Sequence, residues 1–425
     1  MSGGSSHLPD GTTGSRAVYD LILRDATIVT SSGRLVADVA IADGRIAYVG
    51  PRPPRRSRDE IQAIGKFLIP GVIDTAVQFD PSGDPGIWYS ESRAAVTGGV
   101  TTVLCLPDGH QPVVDVDSAR RRIELAAGSS WCHFGLWAAA RAGRSQATHE
   151  ASSSGLTLGT LAHVDGNGSD ADGIEAKELS EFLDCHGVLG VQLEPTDVLD
   201  EGFEQHGLLF DILGRTRDCN HNVHLVHLST AAELQMLDPV RGDLPLTAGV
   251  TPHHLFLSRE SEDGRVRTRP PVRPEHDRRT LWTAMKRGRL DCIASDHHAS
   301  PGDNGSSIGV PGVELLFPLM LSAVKYGRLS LELLVSLCCE SPARIFGLER
   351  KGRIVRGADA DLVLFSEGEV ARVVERSLLS CAGWSPYLDR EAAPKPDMVI
   401  VAGEIVAQCG QVTTESPTGT VVTRD

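Results

Sequence analysis

Short apolar runs broken by turn residues follow one another from Tyr19 to Val49. Tyr19–Val29, Arg34–Ala42 and Gly44–Val49 read as three strands, reversed at Ser31-Ser32-Gly33 and Asp43-Gly44. Gly, Ser and Asp suit such reversals because they tolerate positive φ or hydrogen-bond to their own backbone. From Phe67 the pattern changes, and continuous apolar runs alternate with amphipathic stretches. The runs Phe67–Ile73, Val100–Leu106, Phe134–Ala139, Gly187–Leu193, Val223–Leu228, Pro245–Thr251 and Leu290–Ala294 are expected to be buried strands. Ser92–Gly99, Arg120–Ala127, Ala176–Cys185, Leu315–Tyr326 and Leu331–Cys339 are expected to be helices, and the Ser/Ala-rich stretch Arg141–Gly155 a flexible loop. Strands alternating with helices mark an α/β fold with a parallel sheet.

Asp361–Phe365 and Asp397–Ala407 are strands of the opening kind. The simplest architecture lets the two chain ends meet in one small β-sandwich beside a central barrel. At 425 residues the chain accommodates a barrel of ~250 residues and a second unit. The expected divisions are a disordered tail over 1–18, half of the sandwich over 19–66, the barrel over 67–350, the other half over 351–410 and a tail over 411–425.

Composition narrows the function classes. Hydrophobic residues at 41% and charged residues at 23% are those of a water-soluble globular protein, and a net charge of −15 argues against nucleic acid or an anionic membrane as partner. The basic run Arg52-Pro53-Pro54-Arg55-Arg56 reads as a solvated loop. Nine cysteines are scattered without a C-x-x-C pair, several inside apolar runs, as expected of free thiols in a reducing cytoplasm. Residues 1–16 lack the apolar core of a signal peptide, and no run reaches the ~18 apolar residues that would cross a bilayer. A cytoplasmic location is the expectation.

The stretch Pro70-Gly71-Val72-Ile73-Asp74-Thr75-Ala76-Val77-Gln78-Phe79-Asp80 resembles the first barrel strand of the cyclic amidohydrolases, P-G-x-I-D-x-H-x-H-F-R. Gly98-Gly99-Val100-Thr101-Thr102-Val103 and Leu106-Pro107-Asp108 resemble their G-G-V-T-T-V…M-P-N. His253-His254-Leu255-Phe256-Leu257, Arg269-Pro270-Pro271-Val272-Arg273 and Ser341-Pro342-Ala343-Arg344-Ile345-Phe346-Gly347 resemble P-H-H-L-x-L, N-P-P-L-R and N-P-A-R-I-F-G. Lys351-Gly352-Arg353-Ile354 and Gly357–Phe365 resemble the family's closing motif. The resemblance runs from about Tyr19 to Gly410 and is nearest to dihydroorotase, with allantoinase and dihydropyrimidinase close by. It implies a (β/α)8-type TIM barrel. Only 35 residues separate Gln192 from His227, so one unit there is expected to be short.

What the resemblance implies about the site is mostly loss. The family's hydrolysis uses one or two divalent metals to acidify a water and polarise the amide carbonyl, and a carboxylate to move the proton. The first histidine pair falls at Ala76 and Gln78, the bridging carboxylated lysine of G-x-x-G-x-K at Gln192, and no H-A-E turn is found. His206 is a weak substitute, lying 21 residues before His227 in no buried strand. Two positions survive: His227 in H-x-x-H-x-S-T and Asp296 in S-D-H, the latter also the proton carrier. The bland alternatives are a backbone-satisfied histidine and a loop-capping carboxylate. The substrate-carboxylate Arg is Asp80, the Asn of M-P-N is Asp108, and the last His falls at Ser300, which together disfavour dihydroorotate. Asp80, Asp108, His110, Glu194, His227, Asp296, His297 and His298 form either a rebuilt site or a solvated rim.

The resulting expectation is a dihydroorotase-like protein without hydrolase activity and without a resident cofactor, a structural or regulatory subunit in a homo- or hetero-oligomer. The resemblance implies aspartate carbamoyltransferase of pyrimidine synthesis, or an active dihydroorotase subunit, as partner. The alternative is a cyclic-amide hydrolase with a rebuilt zinc site around His227 and Asp296; a third reading is a ligand sensor using the barrel mouth.

Overall fold

The computed structural model describes residues 18–79, 84–109, 111–165, 173–194, 203–217, 221–261, 264–299 and 308–424. The opening strands Tyr19–Thr30, Gly33–Ala42 and Arg45–Gly50 pair antiparallel in order. Phe67–Pro70 joins the first of them in parallel and accepts Leu362–Phe365, from the far end of the chain, on its other side. Met398–Val401, Glu404–Gln408 and Gln411–Val412 continue outward, so both chain ends share one nine-stranded sheet. Leu21, Leu23, Val39, Ile41, Leu68, Leu362, Leu364 and Ile400 form a core of its own beneath it. A strand at Ser57–Gln62, too polar to betray itself in the sequence, pairs in parallel along the edge of Tyr19–Thr30.

The barrel follows directly from the sheet. Gly71 is the joint: a Cβ there would fall within 1.9 Å of Thr101 Oγ1, so only glycine lets the chain pass from Pro70 into the first barrel strand, Val72–Gln78. The strands Val100–Cys105, His133–Ala139, Gly159–Asp165, Val188–Glu194, Val223–Leu225, Leu246–Val250 and Cys292–Ile293 then add in parallel, each beside its predecessor. His297–His298, just beyond the eighth, pairs in parallel with the end of the first and closes the ring. Several helices between the strands begin at side-chain caps. Asp84 accepts Gly86 N–H ahead of Pro85–Thr97, and Thr230 and Glu233 form a capping box on Ala231–Leu237.

Four expectations change here. The unit between Gln192 and His227 is complete: the helix Phe203–Arg217 and the three-residue strand Val223–Leu225 fit within the spacing. The strand that sequence reading lacks lies earlier, at Gly159–Asp165, and the stretch taken as a flexible loop carries the helix Ser145–Ser153. Residues 411–424, set aside as a tail, include a strand and a segment lying along the third barrel strand, where Phe134 N–H donates to Thr420 O and Val422 N–H to Phe134 O. No helix among the described residues is long and apolar enough to cross a membrane, and each of the eight cysteines described is a free thiol.

Candidate active site

The barrel interior is plugged below its mouth. Trp137, Phe346, Leu104, Leu161 and Cys292 pack there, with the Trp137 and Phe346 rings edge to face at 5.0 Å. Trp137 Nε1 donates to Thr75 O at 2.9 Å. His224 stands in this layer with Nδ1 against Thr247 Oγ1, and burial pulls its pKa down to about 4, which keeps it neutral. Asp74 belongs to the same floor. Its Oδ1 accepts the N–H groups of Ser295 and Ala76 and so stitches the eighth strand's end to the first, while burial pushes its carboxyl up to about 6.

Above the plug, the C-terminal strand ends open into a cavity of about 220 Å³, where barrel chemistry normally sits. Its wall is a set of side-chain pairs. His163, from the fourth strand, meets Asp108 with Nε2 3.0 Å from Oδ2, and Arg141 Nη2 donates to Asp108 Oδ1 at 3.4 Å. Burial alone would raise Asp108, but His163, Arg141 and Arg122 outweigh it and hold the carboxylate below its ordinary range. His298 Nδ1 donates to Gln78 Oε1, and Gln192 Nε2 donates to the Arg269 carbonyl at 3.3 Å. The fully buried His227 ring lies with Nδ1 3.9 Å from Asp296 Oδ2. Asp296 carries φ +51, a left-handed conformation uncommon outside glycine.

His297 also lines the cavity, and both of its ring nitrogens are engaged. Its Nδ1 accepts Gly312 N–H at 3.0 Å, so Nε2 carries the proton toward Glu91 Oε2, 3.1 Å away. Burial would raise Glu91, yet His297 and the Cys381 N–H hold it at about 2. His253 and His254 are buried under the seventh strand's end with their rings 4.4 Å apart. Desolvation lowers both, His254 to about 3.

Of the positions singled out in the sequence, Gln78, Asp108, Gln192, Asp296, His297 and His298 all line the cavity. Ala76 is buried in the plug. His206 lies on an outer helix and reaches Thr230 Oγ1 at 3.4 Å, away from the mouth. Asp80, His110, Ser300 and the side chain of Glu194 fall outside the described residues. The strand count reassigns one position. The resemblance expects a lysine and then a histidine on successive strands before His227. Gln192 is on the fifth strand, immediately before that of His227, so it takes the place of the H-A-E histidine in Gln192-Leu193-Glu194. His163 then holds the lysine's place, directly across the ladder from Gln192. Sequence reading missed His163, Arg141, Arg269 and Glu91. Seven recognised strands for an eight-stranded ring was the available signal for His163.

A catalytic zinc takes three protein ligands and an open position. Ala76 has no donor atom, Gln78 Oε1 already accepts from His298, and Gln192 offers only an amide oxygen, a poor zinc donor beside imidazole. His163 gives only Nε2 to Asp108, and His227 with Asp296 is the other remaining pair. Among the described residues, no three His, Cys, Asp or Glu side chains are placed to hold a metal ion. The family's resident metal does not fit this donor set, and no chemical step is derived through one.

Residues 67–406 match the sequence profile of the amidohydrolase family. The chain is 30% identical to a dihydroorotase of Methanothermobacter thermautotrophicus over 427 residues, covering 93% of this chain and 96% of that protein. It is 28% identical to a dihydroorotase of Pyrococcus furiosus over 389 residues, 87% and 88% of the two chains, and 25% identical to an L-hydantoinase of Paenarthrobacter aurescens over 453 residues, 96% and 98%. Among solved structures, an L-hydantoinase from Arthrobacter aurescens superposes with a TM-score of 0.90 at 24% identity, covering 96% of this chain and 100% of that one. That likeness speaks for the fold.

Proposed function

The chain belongs to the amidohydrolase family, and from that premise we propose that it is a dihydroorotase-like member that has given up hydrolysis and works as a structural or regulatory subunit. One observation carries this reading: the polar side chains at the mouth are paired with one another, Asp108 with His163 and Gln78 with His298, instead of converging on a shared point. Such pairs satisfy groups that would otherwise be desolvated without partners, so the mouth is stable with nothing bound. The partner proposed is aspartate carbamoyltransferase or an active dihydroorotase chain, on the strength of the resemblance and the lost ligands.

The test is metal content of protein purified without chelator or added metal, beside an Asp296→Ala control, with turnover assayed on dihydroorotate and hydantoin. Metal-free protein that turns over neither substrate is expected. About one zinc per wild-type chain, lost in the control, sinks the proposal. A pull-down from native extract is expected to recover a carbamoyltransferase or a dihydroorotase, and its repeated failure removes the partner assignment.

A second reading has one observation in its favour. His227 and Asp296 remain within 3.9 Å, with Asp296 held in a left-handed conformation, the kind of backbone strain that gathers at functional sites. It takes the chain as a cyclic-amide hydrolase with a rebuilt single-zinc site, and predicts stoichiometric metal together with turnover.

A further inference from the structure

A concavity larger than the mouth lies elsewhere on the described chain. A groove of about 500 Å³ runs along the barrel's flank between the helices Glu275–Lys286 and Leu316–Lys325, closed at one end by Leu388–Glu391. That volume is within the range of small-molecule sites, whereas the mouth, at about 220 Å³, is below it. Phe256, Leu388 and Ala323 give the groove an apolar floor, and Ser258 and Ser322 add buried hydroxyls.

Charge distinguishes it from an ordinary crevice. Three guanidiniums, Arg278, Arg328 and Arg390, line the groove of a chain whose net charge is −15. Arg278 is spent: Glu275 grips it through both oxygens at 2.6 Å and also holds Arg279. Glu391, at the rim, accepts the Tyr326 hydroxyl, and Asp389 is exposed there. Arg328 lies over the Trp282 ring at 5.4 Å, and Arg390 Nη2 donates to the Ser261 hydroxyl at 3.4 Å. Among the described residues, neither guanidinium has a carboxylate within ion-pairing distance. A guanidinium stacked on indole keeps its planar fork in place and loses little freedom when it binds an oxyanion.

We propose that this flank groove is a binding site for a small molecule bearing an oxyanion, a carboxylate or a phosphate, with Arg328 and Arg390 as its anchors and Ser261 as an auxiliary donor. The site is separate from the barrel mouth and does not depend on whether the mouth is catalytic.

The probes are inorganic phosphate and succinate against chloride at matched ionic strength, with the full-length chain. A ligand that binds only the folded state raises the unfolding temperature, by about 2 °C at tenfold over Kd for a protein of this size. That rise is expected with at least one probe and is expected to disappear in Arg328→Gln and in Arg390→Gln. Phosphate alone acting assigns a phosphorylated ligand, succinate alone a carboxylate, and both an unselective oxyanion site. Fluorescence of the wild type is expected to change on titration through Trp282, with the change absent in Trp282→Phe. Ser261→Asp, which puts a carboxylate beside Arg390, is expected to weaken binding at least tenfold, and this variant and the wild-type titration decide if the glutamine variants do not fold. No effect beyond chloride, or a stabilisation that survives both arginine substitutions, overturns the site.

Discussion

The floor and the mouth of this barrel are built from different kinds of contact. Below the plug, the polar groups that close the ring match the family's motifs and serve structure. Gly71 passes Thr101, Asp74 ties the first strand to Ser295, and Asp361 takes Lys351 at 2.5 Å and His133 at 3.3 Å while accepting Ala402 N–H. At the mouth, Gln78 is engaged with His298, His163 with Asp108 and Gln192 with the Arg269 carbonyl. The difference shows that the two sets of constraints are separable. Closing the ring depends on backbone geometry and on buried carboxylates meeting N–H groups, and neither needs a metal at the mouth.

Breaking the floor is expected to cost most. Asp361 and Lys351 are 4% and 6% exposed, and removing one member of a buried ion pair strands the other, typically at 3–5 kcal/mol. Asp361→Ala is expected to lower unfolding free energy by about that amount in urea titration, separating the end-to-end sheet from the barrel. A loss under ~1 kcal/mol would show that the cluster is not the clasp.

The next effect is a pair of opposite pH dependences at the ring's closure. Glu91 sits at about 2 in the folded chain against an ordinary 4.5, so its contribution is complete above pH ~4.5 and is lost as pH falls toward 2. Asp74 sits at about 6 against 3.8, so its ionisation is penalised, with a cost absent below pH ~4 and complete above ~6. Each is worth roughly 3 kcal/mol at most. Relative to wild type, Glu91→Gln is expected to be destabilised at pH 6, with the gap closing toward pH 3. Asp74→Asn keeps an acceptor for Ser295 N–H and is expected to gain stability between pH 4 and 7. Flat differences in both variants would remove these carboxylates from the account of ring closure.

The mouth is softer. Asp108 is 22% exposed, and water replaces part of what Asp108→Ala removes, so a loss of about 1–2 kcal/mol is expected. His163→Ala and the double variant are expected to lose about the same, since both single changes break one interaction. A strictly additive double variant would mean that the pair is incidental.

How much of this was legible in the sequence follows the same division. The floor was readable because its residues are contiguous: Pro70-Gly71 and Gly98-Gly99 announce tight passages, and the apolar runs around them fix the strands. The mouth was not, because it is built of contacts between distant positions. Asp108 and His163 are 55 residues apart, and Glu91 meets His297 across the ring. Gly159–Asp165 escaped because a seven-residue strand carrying Thr, His and Asp lacks a continuous apolar run, although every residue but His163 is buried. With that strand missing, Gln192 was set against the lysine position and the interval to His227 looked too short. The end-to-end sheet was anticipated from both termini, while its polar edge strand Ser57–Gln62 gave no apolar signal to find.

The smallest expected effect is the one that separates the two regions most sharply. If the mouth once depended on a metal for its integrity, dialysis against a strong chelator would cost RT ln(1 + [M]/Kd), several kcal/mol for a tight site, and unfolding would come many degrees earlier. The pairs Asp108–His163 and Gln78–His298 already satisfy the side chains that a metal would gather. Chelator treatment is therefore expected to leave the unfolding temperature within about 1 °C, and added zinc to leave it there. A chelator-induced drop that zinc restores in the wild type but not in Asp296→Ala would mean that His227 and Asp296 still recruit a third ligand, and would make the mouth, like the floor, a retained part of the family's design.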